Sequence, residues 1–163
     1  MGHALIAAWG GIPLIYMGDE LALLNDNGYL DVPEHAHDSR WIHRPRMDWT
    51  LAAARHSGDT PSSRVFWGTK QILARRALTP ALHAAVPVRV AGSGSNAVFA
   101  FQRLAPTGTL VGLFNFTENW QQVAEPLARA IGATAMHDAL SDQQVETHQG
   151  QIVLPPYARV WLT

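Results

Sequence analysis

The first 85 residues alternate between apolar runs and polar segments in a way that predicts two helices and one buried strand. HALIAAW, residues 3–9, is an Ala-rich, helix-compatible run that Gly10-Gly11 ends. IPLIYM, residues 12–17, is continuously apolar, which is typical of a parallel strand buried on both faces. Ser62 or Ser63 can cap a clear helix over residues 62–78. This pattern predicts an α/β unit whose strand needs sheet partners from elsewhere.

The hydrophobic period changes to that of strands from Val86 onward. Gly, Ser, Pro and Thr turns separate the apolar segments at hairpin spacing. The predicted segments are VPVRVAG, NAVFAFQRL, TLVGLFNFT, ATAMHDAL, VETHQGQIVL with a turn at Gln149-Gly150, and YARVWL. They predict a Greek-key antiparallel β-sandwich. The predicted domains are therefore residues 1–85 and residues 86–163.

Residues 18–60 form a long polar connection, and a connection of this length in a compact fold is usually functional or disordered. We expect an ordered functional loop with a short helix near residues 51–55. Asp19 and Glu20 follow the predicted strand directly, and HDSRWIHRPRMDW occupies residues 37–49. The candidate site residues are carboxylates and cations that make charge-assisted hydrogen bonds, with one stacking plane: Asp19, Glu20, Asp38, Arg40, Trp41, His43 and Arg44.

Composition narrows the function classes. The formal net charge is -1 and there is no cysteine, so a disulfide framework and a thiolate metal site are excluded. The basic residues are scattered, and we expect no nucleic-acid partner, no membrane partner and no cofactor. His35, His37 and Asp38 are spaced as metal ligands can be, but a merely polar loop is the favoured interpretation. No signal peptide is apparent, which favours a cytoplasmic location.

GIPLIYMGDE, residues 11–20, resembles the last barrel strand of the α-amylase family, glycoside hydrolase family 13. LALLND and DSRWIHRPR, which follow it, are similar to the sucrose-acting branch of that family, amylosucrase and sucrose hydrolase. The resemblance implies the last strand–helix unit of a (β/α)₈ barrel followed by a β-sandwich called domain C. It covers essentially the whole chain.

The resemblance also implies a chemistry that belongs to a larger parent enzyme. In the family an Asp nucleophile, a Glu acid/base and a second Asp act by a retaining mechanism. These three lie on earlier strands, so no catalytic residue is expected in this chain. Arg40 matches the arginine that closes the glucosyl pocket by pairing with an Asp elsewhere in the barrel. Glu20 matches a supporting Glu at the strand end.

Several alternatives remain open from the residues. Asp19 and Glu20 are structural acids or support a substrate pocket, and Arg40 is a surface arginine or a substrate-binding one. Trp120 is expected to be partly buried, with a sugar platform as the alternative.

Sucrose and α-glucan are the expected partners, through the parent enzyme. The rest of the parent's barrel, or self-association of this chain through the exposed strand, would cover residues 12–17. A stand-alone, non-catalytic carbohydrate-binding or interaction module is the alternative function. Hydrolysis and glucan synthesis are not distinguished.

Overall fold

The computed structural model describes residues 1–163, and its regular elements follow the predicted succession of helices and then strands. The helices are α1 Gly2–Ala8, α2 Trp49–Ala54, α3 Pro61–Ala77 and α4 Glu125–Ala130. The strands are β1 Val88–Ala91, β2 Val98–Ala105, β3 Gly108–Asn115, β4 Gln121–Ala124, β5 His137–Asp138, β6 Gln143–Gln144, β7 Thr147–His148, β8 Gln151–Leu154 and β9 Arg159–Leu162. The prediction was the last strand–helix unit of a (β/α)₈ barrel followed by an antiparallel β-sandwich, and the structure confirms a helical segment followed by antiparallel sheets.

The chain forms two compact units. One consists of Met1–Pro13 together with Gln71–Thr163, and the other is Leu14–Lys70. The first unit thus joins α1 and the C-terminal part of α3 to all nine strands. No helix in the structure combines the length and apolarity needed to cross a bilayer.

Two antiparallel sheets make up most of the first unit. The larger has the strand order β1-β2-β3-β9-β5-β6, and the smaller has the order β4-β8-β7. Side chains from both sheets share one hydrophobic core, in which Val111, Leu113 and Leu162 of the large sheet meet Val123 and Ile152 of the small sheet. The chain crosses between the sheets four times, after β3, β4, β6 and β8.

The opposite face of the large sheet is also buried. Phe101, Phe114 and Trp161 point to this second core, where they pack with Ala4 of α1 and Ile72 of α3. Successive side chains of a strand point to opposite faces, so β3 is buried at six consecutive positions from its third residue onward. Helices cover one face of the central strands and the small sheet covers the other.

A glycine at the centre of β3 makes room for an aromatic ring. Gly112 lies directly opposite Phe101 on β2 and opposite Trp161 on β9. A Cβ atom at position 112 would stand 2.3 Å from Cζ of Phe101. The Phe101 ring is fully buried and lies 5.4 Å from Trp9 and 5.9 Å from Phe114, centroid to centroid.

Two arginines bind the carbonyl groups at the C-terminal end of α1. Arg103 is fully buried on β2, and it donates to Ala8 O at 2.9 Å, to Trp9 O, and to His83 O at 2.7 Å. Arg76 of α3 donates to Ala7 O and Gly11 O. Burial lowers the pKa of both guanidinium groups. Unpaired carbonyls at a helix C-terminus carry partial negative charge, so they replace the carboxylate that a buried arginine normally needs.

The predicted strand over residues 12–17 is not formed. Residues 12–16 have no regular secondary structure and no ladder partner, and the side chains of Ile12 and Leu14 are 87% and 78% exposed. A parallel strand needs neighbours on its hydrogen-bonding edges, and this chain supplies none.

The cap predicted for α3 is also different. Thr60 accepts the Ser63 N–H at 3.1 Å and Pro61 is the first helical residue, while Ser62 Oγ donates to Leu21 O at 2.6 Å. The predicted turn at Gln149-Gly150 is confirmed, with positive φ at both residues.

Candidate functional site

The candidate residues lie in the second unit, Leu14–Lys70, which is built from short turns rather than from a large core. It contains three 3₁₀ helices, Asp19–Leu21, Asn27–Asp31 and Ser39–His43, followed by α2. Asp26, Asp38 and Asp48 precede the last three of these four elements. Each carboxylate accepts a backbone N–H of the element that it precedes, at 2.9, 3.0 and 2.8 Å respectively. These N-caps satisfy donors that would otherwise be unpaired, so polar side chains give the loop its order.

Arg40 and Asp38 form a bidentate ion pair inside one turn. Nε of Arg40 lies 2.8 Å from Oδ1 and 3.0 Å from Oδ2 of Asp38, and Nη2 lies 2.7 Å from Oδ2. Hydrogen bonding to Arg40 lowers the pKa of Asp38 to about 2. A carboxyl group that is ionised at every physiological pH is unsuited to act as a general acid. The side chain of Arg40 stays 77% exposed, so its remaining donors face solvent.

The Trp41 ring contacts the side chains of two other residues of the same loop, His35 and Arg44. The His35 ring stacks on it with 3.6 Å between centroids and 13° between planes, and the Arg44 guanidinium lies 5.1 Å from the ring centroid. Stacking and the cation–π contact fix the orientation of an indole that is only half-buried. Trp41 is therefore a positioned aromatic surface beside the Arg40–Asp38 pair.

A second set of hydrogen bonds ties this turn to the preceding one. Nδ1 of His43 lies 3.2 Å from Oδ1 of Asn25, and the Asp26 N–H donates to Ile42 O at 2.8 Å. The two 3₁₀ helices over residues 27–31 and 39–43 are thus joined by a backbone and a side-chain contact. His43 braces the loop through its imidazole.

Asp19 and Glu20 occupy a separate turn. Glu20 accepts the Gly18 N–H at 2.8 Å, whereas Asp19 is exposed. Gly18 has φ +98°, and a Cβ there would stand 2.8 Å from Cδ1 of Leu23, so the turn needs glycine. Glu20 thus holds the backbone of Gly18, directly after the apolar run over residues 12–17.

The structure brings together Asp38, Arg40, Trp41, His43 and Arg44, but it does not bring Asp19 or Glu20 into contact with them. The role of each residue toward a substrate stays a prediction. Sequence reasoning missed the stacking of His35 on Trp41, for which the sequence carries no local signal. No group of three or more His, Cys, Asp or Glu side chains is placed to hold a metal ion.

Chemically, the loop can recognise a ligand but has no pair of carboxylates poised for acid/base work. It offers the guanidinium of Arg40 for hydrogen bonds to hydroxyl or carboxylate oxygens, and the ring of Trp41 for apolar C–H faces. Such an arrangement fits a binding surface that works with catalytic groups supplied by another part of a protein.

The β-sandwich matches a known family in sequence, and the whole chain matches solved structures in fold. Residues 88–163 match the family model of the amylosucrase C-terminal domain. The crystal structure of AmyP in complex with maltose superposes with a TM-score of 0.72 at 18% identity, over 98% of this chain and 33% of that one. The ligand-free cyclic α-maltosyl-(1→6)-maltose hydrolase from Arthrobacter globiformis has a TM-score of 0.61 at 18% identity, over 98% and 28%.

A third solved structure agrees with these two. The trehalose-6-phosphate hydrolase from Bacillus licheniformis has a TM-score of 0.64 at 15% identity, over 98% of this chain and 37% of that one. The chain thus spans about a third of the length of the solved structures that it resembles. At these identities the likeness shows the fold. Residues 88–163 therefore match the amylosucrase C-terminal domain, and the chain as a whole shares the fold of a part of each of these three solved structures.

Proposed function

We propose that this chain is the C-terminal part of a retaining enzyme that cleaves sucrose and transfers the glucosyl group to an α-glucan or to water. The match of residues 88–163 to the amylosucrase C-terminal domain carries the proposal. The DSRW motif at residues 38–41 supports it independently, because that motif lies outside the matched range. In this proposal residues 1–85 complete a catalytic barrel and residues 86–163 form its domain C.

Arg40 is the proposed substrate-binding residue. Its exposed guanidinium is oriented by Asp38, which occupies Nε and Nη2 and leaves other donors free for a sugar hydroxyl or for a carboxylate of the parent. Trp41 supplies the stacking plane, and Arg44 and His43 hold the turn in shape. Glu20 has a supporting role, since its carboxylate is occupied by the backbone of Gly18.

The test is sucrose cleavage by the full-length parent enzyme carrying Arg40→Ala. We expect kcat/KM for fructose release to fall at least about tenfold, which corresponds to about 1.4 kcal/mol of lost transition-state stabilisation. Arg64→Ala is the matched control, because Arg64 pairs with Asp59 at 3.1 Å and has a similarly exposed side chain, 62%. Its activity should stay within about twofold.

Two outcomes would contradict the proposal. A parent that releases no fructose from sucrose refutes the substrate. An Arg40→Ala enzyme as active as the Arg64→Ala control refutes the role of Arg40. The ratio of free glucose to glucan-bound glucose in the products separates hydrolysis from synthesis.

A second candidate is the non-catalytic carbohydrate-binding module, which the separate core of the sandwich favours. Analytical ultracentrifugation of the 163-residue chain distinguishes the two candidates. Exposed Ile12, Leu14, Met17 and Leu24 lead us to expect self-association. A monodisperse monomer with one cooperative unfolding transition would favour the stand-alone module instead.

A further inference from the structure

Three connections meet at one end of the β-sandwich and expose aromatic side chains there. They are residues 92–97 between β1 and β2, residues 116–120 between β3 and β4, and residues 155–158 between β8 and β9. The exposed side chains are Phe116 at 49%, Trp120 at 67% and Tyr157 at 48%. The expectation that Trp120 is partly buried was wrong, because its loop crosses between the two sheets outside both cores.

A buried amide braces these connections against one another. Nδ2 of Asn115 donates to Asn119 O and Pro155 O, both at 2.8 Å, and its Oδ1 accepts the Thr117 N–H at 2.9 Å. The Phe116 N–H donates to Ala97 O at 3.1 Å, which adds the first connection to the set. The backbone around the aromatic residues is therefore held in one arrangement, which lowers the entropy lost on binding.

Tyr157 has an unfavourable backbone conformation. Its φ is +56°, a region that bulky L residues rarely adopt, and its N–H donates to Thr117 O at 3.2 Å. Glycine or asparagine would fit this position with less strain. A strained, exposed aromatic residue at a braced turn points to selection for its ring rather than for the fold.

A surface groove of about 540 Å³ is lined in part by Phe116. Leu5, Asn96 and Phe99 also line this groove. Its volume lies in the range of small-ligand pockets, roughly 300–1,000 Å³. Of the three exposed aromatic residues, Phe116 thus belongs to a concave surface that the amide of Asn96 also lines.

The chemistry of this end favours a neutral, hydroxyl-rich ligand. Among residues 92–97, 116–120 and 155–158, Glu118 is the one residue that is charged at neutral pH. The other polar groups are amides and hydroxyls, which donate to and accept from sugar hydroxyls. We propose that this end of the sandwich binds an α-glucan chain through Trp120, Tyr157 and Phe116. The choice of an α-glucan rests on the proposed function.

The experiment is affinity electrophoresis of the 163-residue chain through native gels with and without soluble amylose. We expect amylose to retard the chain, and Trp120→Ala to weaken the apparent affinity at least about tenfold, as for loss of one central aromatic contact. Trp49→Ala is the matched control, since Trp49 of α2 is also exposed, at 76%. Tyr157→Gly removes the ring and relieves the backbone, so weaker binding with undiminished stability separates binding from folding.

Each outcome decides the proposal. Retardation that survives Trp120→Ala, or that Trp49→Ala reduces equally, overturns it. Mobility that amylose does not change also overturns it. Loss of glucan binding in this chain leaves the sucrose cleavage of the parent untouched, so failure here is distinguishable from failure of the proposed function.

Discussion

Replacing Gly112 by alanine tests whether the large sheet depends on the close approach of Phe101. The added Cβ would stand 2.3 Å from Cζ and 2.4 Å from Cε1 of Phe101, well inside van der Waals contact. The Phe101 ring has Trp9 at 5.4 Å and Phe114 at 5.9 Å, so it has no free volume to enter. Overpacking of a filled core costs typically 1–3 kcal/mol, and we expect about 3 kcal/mol here because both partners are central.

The assay is urea unfolding of the chain followed by tryptophan fluorescence, with the free energy taken from the midpoint and the slope. Gly92→Ala is the control, because a Cβ at position 92 meets nothing within 4 Å. It should change the free energy of unfolding by no more than about 0.5 kcal/mol. Both substitutions remove one glycine, so their effects on the unfolded chain are similar.

A double-mutant cycle gives the result that would refute the reasoning. Phe101→Ala alone should cost about 3–5 kcal/mol through the cavity it leaves. In that background Gly112→Ala should cost almost nothing, because the ring that it strikes is gone, and the coupling energy should approach about 3 kcal/mol. A Gly112→Ala cost that is the same with and without Phe101 would show that backbone preference, not ring contact, demands glycine.

Two further predictions concern single side chains. Asn115→Ala should lower the free energy of unfolding by about 3 kcal/mol in urea titrations, because it leaves the carbonyls of Asn119 and Pro155 without their donor; Asn115→Asp should not restore it, since a carboxylate donates nothing. Arg40 lowers the pKa of Asp38 to about 2, so the pair stabilises the loop above the unfolded pKa of about 3.9 and that contribution is lost as pH falls through about 2. The carboxyl ¹³C signal of Asp38 should titrate with a midpoint near pH 2, and this midpoint should move toward about 3.9 in the Arg40→Gln variant. An unchanged midpoint in that variant would refute the pairing.

Local signals in the sequence predicted three of the four α-helices and most strands, but they did not predict features that depend on contacts between distant residues. The start of α3 was predicted to within one residue because Pro61 and its neighbours form a strong N-terminal signal. Strands β4 and β6 and helix α4 were missed, because the strands consist largely of glutamine and show no apolar period, and six residues are too few to show a helical one. The sequence gives no local reason for the burial of Arg103, which is explained by carbonyl groups of α1 that are distant in sequence.

The candidate site was predictable to the extent that it is local. Asp38 and Arg40 are two residues apart, and a bidentate pair at that spacing follows from a capped turn. The stacking of His35 on Trp41 depends on how two turns fold back on each other, which spacing does not reveal. The apolar run over residues 12–17 was predicted to be a strand, but it does not form one because this chain supplies no neighbouring strand for its edges.

The segment Leu14–Lys70 leaves one compact unit and returns to it, and its second junction falls inside α3. The entropy of closing such a segment grows slowly with its length, so evolution can lengthen or replace it at modest cost to the sandwich. The second junction, inside α3, is less tolerant of insertions and deletions. Removing one residue of α3 before Gln71 would turn the upstream half about 100° around the helix axis relative to Ile72, which is 8% exposed. The length of this segment can therefore differ between relatives at modest cost, but residues cannot be added to or removed from α3 without changing its rotation about the helix axis.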